Sequence, residues 1–86
     1  MKTKKTSSVT FEQLRRLLVD LQFTESRSNT YWRFDHPESG TVLVYRPYAV
    51  AERVSVPDLA MTRRHLDWRG VLAENAFDDS LTKTPA

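Results

Sequence analysis

Two histidines, three tyrosines and nine arginines are the side chains of this 86-residue sequence with the most chemistry available to them. Histidine becomes a general base or a metal ligand when a carboxylate, hydroxyl or second histidine stands at strand or helix spacing. His36 precedes Pro37 and has no titratable partner at such a spacing, so its plainer role is to close a turn. His65, between Arg64 and Leu66, has no second histidine four residues away, and Asp58 lies seven residues back. A surface position on a helix is expected for it, and no metal or other cofactor is implied. Tyr31 joins His36 as a catalytic candidate, although a phenol with a pKa of about 10 is a poor base at neutral pH. Asp58, Asp67, Glu74, Asp78 and Asp79 form no paired-carboxylate motif, and two glycines cannot build a phosphate-cradling loop. The absence of cysteine excludes disulfides, thiolate zinc sites and a cysteine nucleophile.

The arginines are the stronger signal. Thirteen Lys plus Arg against eleven Asp plus Glu give a net charge of +2, yet Lys2, Lys4 and Lys5 all fall in the first five residues. The rest of the chain is close to neutral and holds every arginine. Guanidinium groups favour planar, bidentate contacts, which suits phosphate as well as ordinary ion pairs. Arg33, Arg46, Arg63 and Arg64, with Tyr31 as a stacking ring, form the candidate nucleic-acid-binding set. The competing reading for Arg63, Arg64 and Arg69 is compensation of a helix dipole and pairing with Asp67 and Glu74. Tyr45 and Trp68 are candidates for a protein interface.

These residues need elements to hold them. Thr10 with Gln13 forms a capping box, Val9 and Leu14 occupy hydrophobic-staple positions, and Phe11, Leu14, Leu17, Leu18 and Leu21 make one apolar stripe. A helix is predicted over 11–22. Alternation through 30–36, turn chemistry at 37–40 and the β-branched run 41–46 predict an antiparallel hairpin, ended by Pro47. A short third strand is expected near 52–56. Ser55 and Asp58 mark the cap of a second helix, Gly70 its left-handed end, and a third helix is predicted over 73–81. Residues 1–8 and 82–86 read as disordered tails flanking one domain over 9–81.

The expected fold is α+β: a small antiparallel sheet of two to three strands with helices on one face, in the order α-β-β-(β)-α-α. Trp32 and Phe34 point toward the helices, and Tyr31 and Arg33 toward the open face. Either Leu43 and Tyr45 or Val42 and Val44 complete that face, depending on hairpin register. No apolar run approaches the roughly 20 residues of a membrane span, so a cytoplasmic protein with no membrane partner is expected.

The pieces Phe11-Glu-Gln-Leu-Arg-Arg-Leu-Leu, Phe34-Asp-His-Pro and the arginine-bearing second helix together resemble the HicA family over about residues 10–77. These are small toxins of bacterial toxin–antitoxin pairs with a fold similar to the double-stranded-RNA-binding domain. The resemblance implies RNA as ligand and an antitoxin-like protein as partner. It also implies a Gly-Ser-His signature entering the first strand, whose histidine is the proposed catalytic residue for RNA cleavage. Asn29, Thr30 and Tyr31 occupy the matching positions here, so that histidine is missing. The reading is an RNA-binding domain without ribonuclease activity. A protein-interaction or homodimerisation module is the alternative, and an active mRNA interferase is the third.

Overall fold

Local signals in the chain set most of the element boundaries. The computed structural model describes residues 6–83. In order it contains β1 (Thr6–Thr10), α1 (Phe11–Asp20), β2 (Thr24–Arg27), β3 (Trp32–His36), β4 (Thr41–Tyr45), β5 (Arg53–Ser55), α2 (Val56–Trp68) and α3 (Glu74–Lys83). The Thr10–Gln13 capping box is formed in both directions and starts α1. Ser55 caps α2 by accepting from the Asp58 N–H.

The helices α1 and α2 end in the same hydrogen-bond pattern. In α2, Val71 N–H donates to Leu66 O and Gly70 N–H to Asp67 O, with Gly70 at φ 71°. In α1, Phe23 N–H donates to Leu18 O and Gln22 N–H to Val19 O, with Gln22 at φ 77°. This is the Schellman ending, which favours glycine at its left-handed residue.

The strands form two antiparallel sheets, one of order β2-β3-β4 and a two-stranded pair β1-β5. The predicted hairpin is β3–β4, closed by the turn 37–40 with Gly40 at φ 73°. Two strands go beyond the sequence expectation. The polar segment Thr24–Arg27 pairs with β3 as an edge strand. Residues 6–8, expected in a tail, belong to β1, and Ser7 Oγ donates to Val54 O at 2.9 Å. The expected short third strand is β5, but it joins β1 rather than the hairpin. At the other end, Thr82 and Lys83 continue α3 instead of fraying. Residues 1–5 and 84–86 of the expected tails lie outside the described residues.

One face of the three-stranded sheet is covered. Trp32, Phe34, Leu43 and Tyr45 pack with Phe11, Leu14, Leu17 and Leu18 of α1, Leu66 of α2, and Phe77 and Leu81 of α3. Phe11 is the hub, within 4.9 to 6.2 Å of the ring centroids of Trp32, Phe34, Tyr45 and Tyr48. Burial of these apolar faces, at roughly 25 cal/mol per Å², is what holds the helices on this side.

Candidate nucleic-acid interface

Register decides which residues the open face carries. His36 pairs with Thr41, Phe34 with Leu43 and Trp32 with Tyr45. Period two then places Tyr45 in the core, only 2% exposed, while Val42 (47%) and Val44 (51%) lie bare. Tyr45 is therefore not an interface residue. Its hydroxyl donates to Thr62 Oγ1 at 2.6 Å, and burial pushes its pKa well up. The turn already held this information, because a four-residue loop between His36 and Thr41 leaves one register available. Arg33 shares the open face with Asp35 and Val44, but its Nε lies 3.0 Å from Asp35 Oδ1, so its charge is matched locally.

A more distinctive arrangement lies at the end of the sheet away from the 37–40 turn. Cross-strand pairing aligns Arg27, Trp32 and Tyr45. The Arg27 guanidinium sits 4.7 Å from the centroid of the Trp32 ring. Arg46, just past β4, sits 4.1 Å from the centroid of Tyr48 and reaches Glu52 at 3.0 Å. Tyr48 and, secondly, Glu52 raise its pKa, so its charge is secure. Trp32 and Tyr48 are themselves joined, since the Trp32 Nε1–H donates to Tyr48 O at 3.0 Å. Exposed Tyr31 immediately precedes the central strand at this end. Both guanidiniums are braced on aromatic faces; Arg27, with no ion pair among the described residues, keeps its N–H edges for a phosphate at little entropic cost, whereas Arg46 has one edge committed to Glu52. Arg27 was not singled out from sequence, because its segment lacks alternation; only pairing with β3 sets it on Trp32.

The two catalytic candidates are far apart. Tyr31 and His36 lie at opposite ends of β3, roughly 16 Å apart at the usual strand rise. His36 is buried against Phe23, and its Nδ1 lies 2.8 Å from Ser39 Oγ and accepts from Ser39 N–H at 3.3 Å. It closes the turn. Arg63 lies 3.7 Å from Asp78 rather than pairing with Asp67 or Glu74. Arg27, Arg53, Arg64 and Arg69 form no ion pair among the described residues. Trp68 is 70% exposed on α2, in T-shaped contact with His65.

Compared with protein-family models, curated proteins and solved structures, the chain finds no match. Among the described residues no three His, Asp or Glu side chains are grouped as a metal would need, and no helix is long and apolar enough to cross a membrane.

Proposed function

We propose that the chain is a HicA-like domain that binds RNA and does not cleave it, acting in the cytoplasm. The observation that carries this reading is the pair of ring-braced arginines, Arg27 on Trp32 and Arg46 on Tyr48, at the sheet end where Tyr31 is exposed. Phosphate contacts made there give affinity, and Tyr31 offers a ring for an unpaired base. Helices on one side of a small antiparallel sheet agree with the resemblance in the sequence. Cleavage is left out because Tyr31 stands in place of the signature histidine, and a phenol with a pKa of about 10 is a poor base at neutral pH.

The test is RNA binding by fluorescence anisotropy at two salt concentrations. Affinity should fall steeply with salt, and the double substitution Arg27→Glu with Arg46→Glu should lower it by more than about tenfold, as expected when two phosphate contacts become repulsions. The RNA should stay intact during prolonged incubation. Equal affinity of parent and double variant would remove the reading.

A second reading rests on β4, an edge strand whose outward residues are Val42 and Val44. A second copy could add a strand there. Sedimentation should then show a dimer that Val44→Glu dissociates, and a monomer at all concentrations would dismiss it.

A further inference from the structure

Among the described residues Trp68 is the most exposed large hydrophobic side chain, and the fold makes little use of its ring. Its surroundings on α2 are polar. Arg64 stands one helical turn before it at i−4, His65 at i−3, and Asp67 and Arg69 flank it in the chain. The His65 and Trp68 rings meet at 71° with centroids 5.7 Å apart, which braces the indole while leaving most of it in solvent. Neither Arg64 nor Arg69 has an ion-pair partner among the described residues. A protein hot spot sits among apolar neighbours that exclude water. A braced, exposed aromatic face with an arginine one helical turn before it that has no ion pair among the described residues fits a nucleobase with its phosphate.

We propose that Trp68 is a stacking platform for an unpaired RNA base, with Arg64 holding the adjacent phosphate. The site deepens the RNA-binding reading and rests on it, naming single-stranded RNA as the preferred ligand. Stacking on an exposed ring requires an unstacked base, which a continuous duplex does not present.

Trp32 is buried and Trp68 exposed, so intrinsic fluorescence reports mainly on changes at Trp68. The experiment titrates the full chain with a uridine octamer and, separately, with a blunt RNA duplex of equal length. The octamer should quench the fluorescence. Trp68→Ala should abolish the quenching and weaken octamer binding by about 5- to 150-fold, the span expected for one lost base stack. Duplex affinity and the urea midpoint should stay unchanged, and Arg64→Gln should reduce the salt slope by about one phosphate contact. Octamer binding with no quenching and no loss in Trp68→Ala overturns the proposal while leaving the RNA-binding reading intact. Failure of the parent protein to bind either RNA removes both. A concentration-dependent blue shift without RNA, abolished by Trp68→Ala, assigns the ring to a second copy of the chain and also overturns the proposal.

Discussion

The indole N–H of Trp32 donates to the main-chain carbonyl of Tyr48 at 3.0 Å across a separation of 16 residues. This bond ties the segment after β4 to the central strand and joins the two rings that carry Arg27 and Arg46. Trp32→Phe keeps an aromatic ring but removes the donor, leaving a carbonyl without its partner beside a buried side chain. A loss of about 1–3 kcal/mol is expected in urea denaturation. RNA affinity should fall along with it, because both arginine perches shift.

Tyr48 sits inside the cap of α2. The Asp58 carboxylate, which the sequence places to reach back to Ser55, instead accepts from the Tyr48 hydroxyl at 2.5 Å, and that hydroxyl accepts from Ser55 N–H at 3.0 Å. The phenol thus relays the capping box. Tyr48→Phe strands a buried N–H and should cost about 1–3 kcal/mol. In a double-mutant cycle with Asp58→Ala, the two losses should be clearly non-additive; additive losses would mean that the relay carries no coupling.

Thr62 and Tyr45 should respond unequally. The Thr62 hydroxyl accepts from Tyr45 and donates to Asp58 O at 2.8 Å. Thr62→Val strands the phenolic O–H in the core, at about 1–3 kcal/mol. Tyr45→Phe leaves Thr62 its carbonyl partner and should cost about 1 kcal/mol or less. The ratio of the two urea midpoints' shifts checks the order.

Acid should reveal Glu12. Hydrogen bonds from Arg15 and then Arg16 hold its carboxyl at about 2, against an ordinary 4.5. A carboxyl whose pKa drops on folding stabilises the folded state when ionised. Its contribution is therefore complete above about 4.5 and is lost as the pH falls toward about 2. The pair lies at the surface with Glu12 21% exposed, so the effect is about 1 kcal/mol or less. The stability gap between the parent and Glu12→Gln should close across that acid range; a gap independent of pH would contradict the assignment.

Gln22 holds a left-handed conformation, φ 77°, where α2 uses Gly70. A side chain in that region costs roughly 1 kcal/mol relative to glycine. Gln22→Gly should raise the thermal midpoint by a few degrees, whereas Gly70→Ala should lower it; no atom crowds a Cβ at Gly70, so conformational strain alone is at work there.

The chain's own residues determine both capped helices, the 37–40 turn and the pairing that turn imposes, because capping boxes, Schellman endings and tight loops act over four to six residues. They also separate Val42 and Val44 from Leu43 and Tyr45, since alternation is local. That Thr24–Arg27 is a strand, and that Ser7 bonds to Val54, were decided only by tertiary structure. An edge strand with polar residues has no periodic signature, and β1 meets β5 across more than forty residues. The braced arginines follow the same rule: each guanidinium finds its ring through pairing or a loop return, so their types are written in the chain but their partnership arises on folding.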